Sequence, residues 1–361
     1  MSMEVFVIGV GLMGGSIGLA LRTRGHRVTA WDIDGERLDR CIAMGAADVA
    51  STDFALSCAE CDIAIVAVPV SNVAELVAAA LNAGAPVVTD VGSVKAPIVS
   101  AVEGLSTRSE YFVAGHPMAG SEQDGLDGAD ADLFVGATWV LTPTTTTNQD
   151  AHALTRSLAI AVGAEVIEIE PERHDAIVAV VSHVPQLAAT TLMDVASEAG
   201  DGSAVLLRLA AGGFRDMTRI AASHPAIWPD ICAANKNAIV DALDSYVEAL
   251  GAVRGMVASG DRVALLELLT RARNSRRALP VSAAIEGPLT EIRTPIADRP
   301  GVLAEVTTLA GSLGVNILDL EIVHSIEGES GVLVLVVPSA RAASLVDALI
   351  SSGYRPVRSE L

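Results

Sequence analysis

Positive charge is scarce in this chain. Its 361 residues carry 24 lysines and arginines against 44 aspartates and glutamates, a formal net charge of −20 at pH 7. That deficit argues against nucleic acid and anionic membrane surfaces as partners, since both demand a basic face. It also makes single arginines informative, because an anionic substrate must be met by locally placed cations. Cysteine is sparse too: Cys41, Cys58, Cys61 and Cys232 are the whole set, which suits a reducing compartment. Cys58 and Cys61 form a C-x-x-C, but Cys61 leads straight into DIAIVAVP and no second pair follows. They read as small core residues, and no metal site is expected. Long apolar runs are missing as well. The most apolar later stretch, Ala176 to Leu192, is broken by Ser182, His183, Pro185 and Gln186. It reads as a buried helix pair rather than a membrane span. The opening MSMEVFVIGVGLMGG has no basic segment before its apolar run. No targeting segment is predicted, and the expected location is the cytoplasm.

What is abundant is apolar side chain, 51% of residues against 19% charged. That is ample for packed cores and argues against disorder. The length suggests roughly two to three domains. The first half alternates in βα fashion: EVFVIGV, RVTAWDID, CDIAIVAVP and APVVTDVGS as strands, with helices between them. Further strands are expected at YFVAGHP, TWVLTP and EVIEIE, and TPTTTTNQD reads as a polar loop entering a helix. Such alternation predicts a doubly wound, mostly parallel, Rossmann-type sheet over residues 1–170. From Pro171 to about residue 285 the pattern becomes all-helical. By analogy of architecture, such a block closes a cleft and forms a dimer core. A third unit, residues 289–361, reads βαββαβ, the ferredoxin-like order, with IEGPL as linker.

The run Gly9-Val10-Gly11-Leu12-Met13-Gly14 is G-x-G-x-x-G between a strand and a helix. Gly9 allows the tight turn, Gly11 lets backbone approach a pyrophosphate, and Gly14 permits close helix packing. The helix N-terminus offers amide donors, and Ser16 is placed to add a hydroxyl. Asp32, at the end of the second strand, suits a ribose diol and repels a 2′-phosphate, so NAD is the expected cofactor over NADP, although Arg37 follows closely. TDVGSVK places Ser93 and Lys95 beyond a parallel strand, where ligand crevices open. VAGHPMAGSE places His116 at a second strand end, among small residues that leave space for a ring. An imidazole there is a general-base candidate near neutral pH. VSHVPQ holds His183 and Gln186, and Pro185 is expected to disturb the preceding helical turn. Arg215 and Arg219, four apart in GGFRDMTRI, share a face if helical and make a candidate carboxylate clamp.

Together GVGLMGGSIGLAL, DVGSVK, GHPMAGSEQDG, SHVPQ and GFRDMTRIA followed by Trp228 and Asp230 resemble the prephenate dehydrogenase family, including its arogenate-using relatives, over nearly the whole chain. The last unit resembles an ACT domain through DRPGVLAEVTTLAGSLGVNI. The resemblance implies NAD held by Gly9, Gly11, Leu12, Met13, Gly14 and Asp32, with Ser93 near the nicotinamide and the substrate hydroxyl. It makes His116 the residue that takes the ring 4-hydroxyl proton of prephenate. His183 becomes a second substrate-side residue and Arg219 the carboxylate-binding arginine, with Glu122 and Arg215 at the rim. Asp216 and Trp228 match positions that approach the neighbouring subunit's site, which implies a homodimer. Gly301 and Asn316 lie where ACT domains bind amino acids, and tyrosine is the natural end product. Arogenate in place of prephenate, a hydride-transfer enzyme of another hydroxyacid or imine, and a non-catalytic sensor of NAD and an amino acid are the competing readings. The sensor leaves His116, Ser93 and Arg219 without a role.

Overall fold

The computed structural model describes residues 2–120, 123, 125–199, 212–278, 288–297, 299–324 and 330–360. The chain falls into two compact units, Met1–Gly255 and Met256–Leu361. In the first, β1 (Glu4–Ile8), β2 (Arg27–Trp31), β3 (Val49–Ala50), β4 (Ile63–Val66), β5 (Val88–Asp90) and β6 (Phe112–Val113) form one sheet. Its order is β3-β2-β1-β4-β5-β6, and every neighbouring pair is parallel. Helices α1 (Leu12–Thr23), α2 (Gly35–Ala43), α3 (Phe54–Glu60), α4 (Val70–Asn82) and α5 (Ala96–Leu105) connect the strands. This is the doubly wound arrangement the alternation predicts. Alternate residues of β1 serve two cores: Val5 and Val7 pack with Ile17 and Leu21, Phe6 and Ile8 with Val73 and Val77. Cys58 and Cys61 are buried, and burial pushes both thiols up to about 12, so neither is a ready thiolate.

The expected single strand YFVAGHP is in fact divided. β6 stays in the parallel sheet, whereas β7 (Gly115–Pro117) pairs antiparallel with β8 (Thr138–Leu141), which pairs parallel with β9 (Glu165–Glu168). The backbone groups at the break bond elsewhere. The Thr142 amide donates to Ala114 O at 2.9 Å, and the Gly115 amide to Asp90 Oδ1 at 3.1 Å. His116 therefore sits inside a small mixed sheet, not at the end of a parallel strand. After the threonine-rich loop, Asn148 caps α6 (Gln149–Ala161) by accepting the amides of Asp150 and Ala151.

From Pro171 the expected helix pair is one continuous helical rod: α7 (Pro171–Val178), a π-helical turn over Ala179–His183, and α8 (Val184–Ala199). Pro185 has no N–H to give, and just before it the Val184 amide reaches back five residues to Ala179 O. The 28-residue stretch Pro171–Glu198 is long and apolar enough, by length and composition, to cross a membrane. Here it is a wall of the site, because His174, Asp175, His183 and Gln186 are buried along it. Helices Gly212–Thr218, Trp228–Ala234, Lys236–Ser259 and Arg262–Arg277 follow.

In the second unit β10 (Leu289–Ala297), a helix Val302–Ser312, β11 (Asp319–His324), β12 (Ser330–Pro338), a helix Ser339–Ser351 and β13 (Val357–Glu360) occur in that order. The four strands make an antiparallel sheet ordered β11-β12-β10-β13. Ile292, Ile296, Val306, Leu335, Leu345 and Leu349 fill the space between sheet and helices.

Candidate active site

The glycine turn between β1 and α1 is built as its spacing predicts. Gly9 has φ +94°, and a Cβ there would lie 2.5 Å from Ala67 O. A Cβ on Gly14 would lie 1.9 Å from Gly9 O, so both positions exclude any side chain. Around Gly11 there is nothing within 4 Å of an added Cβ. Gly11 is also the N-cap of α1, with no side-chain cap and no acidic residue in the first turn. An uncapped helix start with clear space above it fits an anionic pyrophosphate. Leu12 and Met13, half-buried, open that turn. Ser16 does not add the expected hydroxyl: it is buried, and its Oγ accepts the Asp130 amide at 3.0 Å.

The Asp32 carboxylate accepts the Val10 amide through Oδ2 and the Asp34 amide through Oδ1, both at 2.9 Å. Two N–H bonds leave a carboxylate with spare lone pairs for a diol. Arg37 reaches the same carboxylate at 3.6 Å and Asp34 at 3.4 Å.

The second centre lies at β7. Lys95 is fully buried, bonded to the Asp90 carboxylate and, at 2.7 Å, to Gly115 O. Ser93, half-buried, lies in the loop this pair holds down. Gly115 leaves no room for a substrate ring, contrary to expectation. A Cβ there would lie 2.9 Å from both Asp90 O and Trp139 Nε1, so the glycine serves internal packing. Gly120, by contrast, has nothing within 4 Å.

His116, half-buried, meets His174 with Nδ1 to Nε2 at 2.8 Å, the rings edge-on at 72°. His174 in turn bonds Asp175, Nδ1 to Oδ1 at 2.7 Å. Asp175 accepts the amides of Lys95 through Oδ1 at 2.8 Å and of Ala96 through Oδ2 at 2.9 Å. It thereby caps the start of α5 from another element. Sequence reading missed His174 and Asp175, which sit unremarked in PERHDAIV. No local signal marks them, because a His-Asp pair behind Glu172 and Arg173 reads equally as the solvent face of a helix start.

The π-helical turn places His183, whose Nδ1 lies 3.3 Å from Asn235 Nδ2, while that same amide group donates to Asp175 O at 2.9 Å. The Trp228 indole stands edge-on to His183 at 6.1 Å between centroids. So Trp228, expected to approach a neighbouring subunit, also packs within its own chain. Trp228 and Gln186 both donate to Ser223 Oγ, at 3.1 and 2.9 Å. Burial, then Lys95, His174 and His183, hold His116 well below its ordinary value. Burial takes His183 down to about 4, with Asp175 opposing. Both imidazoles are neutral at neutral pH, the form a proton acceptor needs.

Of the remaining expected residues, Arg215 lies on the helix Gly212–Thr218 and Arg219 opens the 3₁₀ turn Arg219–Ala222, so they do not share one α-helical face. Both side chains are exposed. Glu122 lies outside the described residues.

A doubly wound sheet, an uncapped glycine turn, a carboxylate just beyond β2 and two neutral imidazoles, His116 and His183, define a dinucleotide-dependent oxidoreductase architecture. Residues 17–168 match the family description "Prephenate dehydrogenase, nucleotide-binding domain", and residues 170–271 match "Prephenate dehydrogenase, dimerization domain". The prephenate dehydrogenase of Bacillus subtilis (strain 168) is 32% identical over 336 residues, covering 91% of this chain and 90% of that protein. The chain belongs to the prephenate dehydrogenase family. A solved structure of the Aquifex aeolicus prephenate dehydrogenase, in complex with hydroxyphenyl propionate and NAD+, superimposes with TM-score 0.72 at 30% identity. That comparison covers 78% of this chain and 99% of the other. The Synechocystis arogenate dehydrogenase gives TM-score 0.66 at 28% identity, over 76% and 99% of the two chains.

Proposed function

We propose that this protein catalyses the NAD-dependent oxidative decarboxylation of prephenate to 4-hydroxyphenylpyruvate, CO2 and NADH, a step towards tyrosine. The observation that carries the reading is the neutral His116, backed by His174 and set beside the Ser93–Lys95 loop, in a chain of this family. NAD+, when bound, supplies the hydride acceptor, and Gly9, Gly11, Leu12, Met13, Gly14 and Asp32 would hold it. As the hydroxyl-bearing carbon becomes a carbonyl carbon, its oxygen grows acidic and His116 takes the proton. Positioned general-base catalysis is typically worth about 10²–10⁴-fold. Aromatisation of the ring then drives loss of CO2. Ser93 sits near the reacting hydroxyl, and His183 borders the substrate. Arg219 holds the pyruvyl carboxylate, with Arg215 and Glu122 at the rim. Tight pairing to the departing carboxylate would only stabilise the ground state.

The relatives support a homodimer through the helical region. Helix Lys236–Ser259 exposes Val240, Val247 and Leu250, and helix Arg262–Arg277 exposes Val263, Leu266 and Leu269. We divide the chain into a nucleotide domain (1–170), a helical domain (171–285) and a C-terminal ACT-like domain (289–361), in a cytoplasmic enzyme. The sheet order β11-β12-β10-β13 supports a ferredoxin-like unit. The proposed tyrosine site is at Gly301, which has φ +91° before its helix and lines a groove with Glu305 and Tyr354. Asn316 is exposed in the loop ahead of β11.

The test is NADH formation with prephenate or arogenate against NAD+ or NADP+. Turnover of prephenate with NAD+ is expected. Preference for arogenate moves the substrate reading, and turnover of neither by protein that binds NAD favours the sensor.

A further inference from the structure

The hydrogen-bond chain Asp175–His174–His116 has a direction. A carboxylate accepts only, and both Asp175 oxygens already take backbone amides of Lys95 and Ala96. The bond between His174 Nδ1 and Asp175 Oδ1 is therefore donated by the imidazole. When His174 carries a single N–H, spent on Asp175, its Nε2 holds the lone pair. The partner at 2.8 Å, His116 Nδ1, must then donate to it. That leaves the lone pair of His116 on Nε2, the ring's far side. Without such a partner, nothing in the ring itself would select that tautomer.

We infer that His174, anchored by Asp175, is the positioning residue that fixes His116 as the Nδ1–H tautomer and aims its Nε2 lone pair at the proton to be removed. The catalytic consequence rests on the prephenate reading above; the tautomer does not. Each link is held from outside the chain. Asp175 is fixed by the first amides of α5, and its own carbonyl accepts from Asn235 at 2.9 Å. His174 is completely buried. The ionisable groups around His116 come from Asp90 at the end of β5 with Lys95 from the loop after it, His174 with Asp175 from α7, and His183 from the π-helical turn. Partners that orient metal-bound histidines through the same kind of ring N–H bond typically affect activity by about 10–10²-fold, the scale adopted for His174.

Nitrogen NMR of the full-length protein with ¹⁵N-labelled histidine reads the tautomer directly. His116, identified by its loss in His116→Asn, is expected as Nδ1–H and His174 as Nδ1–H. An Nε2–H signal for His116 overturns the inference whatever the protein's substrate. Kinetics supply the second arm. His174→Phe keeps a ring but offers no acceptor, and should lower kcat about 10–10²-fold with KM little changed. The acid limb of its pH profile should also move. His174→Gln, whose amide oxygen can accept from Nδ1–H, should recover much of the rate. Equal losses in Phe and Gln variants that still melt like wild type overturn the positioning role. If His174→Phe does not fold, Asp175→Asn takes its place. It should convert His116 in part to Nε2–H, and an unchanged tautomer with unchanged kcat counts against the inference.

Discussion

Asp90 and Lys95 form an ion pair with both side chains completely buried, and the pair grips Gly115 by both its backbone groups. The lysine takes the carbonyl and the aspartate takes the amide of the residue immediately before His116. A charge pair is thus used to fix the strand that carries His116. Lys95→Met would leave the Asp90 carboxylate buried and unpaired, which typically costs about 3–5 kcal/mol. Urea unfolding should show that loss. The double variant Asp90→Asn/Lys95→Met should recover a good part of it, because no buried charge remains. A single variant as stable as wild type contradicts this account.

The glycines of the first turn should separate by role. Gly14→Ala forces a methyl into Gly9 O and should lower Tm with or without cofactor. Gly11→Ala meets open space and has an ordinary φ of −80°, so its Tm without NAD should match wild type. Its NAD affinity should nonetheless fall by about tenfold or more, equivalent to roughly 1.4 kcal/mol. Calorimetric titration checks the contrast. Unchanged NAD binding by Gly11→Ala would remove the pyrophosphate from this turn.

Stability should fall with acid, and His183 gives the window. Its value in the folded protein is down to about 4, against an ordinary value near ~6.5 when unfolded. Between those values the unfolded chain binds the extra proton, so unfolding is favoured as pH drops. The contribution is complete above pH ~6.5 and lost on the way to pH ~4, amounting to about 3 kcal/mol. His116 is lowered as well and adds in the same direction. Melting curves across that range should flatten in His183→Asn relative to wild type. A parallel slope in both proteins would show that another group sets the acid sensitivity.

Much of this was legible in the chain because it is written locally. A glycine turn, a βα alternation and a polar loop entering a helix are each decided within a few residues. What stayed hidden depends on distance. His116 and His174 are 58 positions apart, and nothing in PERHDAIV distinguishes a buried His-Asp pair from the solvent face of a helix start. The break at Ala114 was hidden for a related reason. YFVAGHP has the composition of one strand, and the contacts that hold Gly115 at the break come from Asp90 and Lys95, which lie outside that segment and are invisible in it. The disturbance at Pro185 was foreseeable, since proline lacks a donor. That it takes the form of a π-helical turn, with His183 set against Asn235 and Trp228, is not written in VSHVPQ.

Cofactor choice should be switchable at one pair. Arg37 now leans on Asp32 and Asp34 with its side chain about half exposed. Asp32 repels a 2′-phosphate and also engages the neighbouring Arg37 guanidinium. Asp32→Ser removes the repulsion and releases Arg37 from one of its two carboxylates in a single step. A charge-assisted hydrogen bond is worth about 1.5–3 kcal/mol, so the NADP-to-NAD ratio of kcat/KM should rise about 10–10²-fold. Part of that rise should come from weaker NAD use, because the ribose diol loses its acceptor. Asp32→Ser/Arg37→Ala should lose the gain with NADP while keeping the loss with NAD. If the single variant leaves the ratio unchanged, Asp32 does not read the ribose. The Val10 amide it accepts would then be its main purpose.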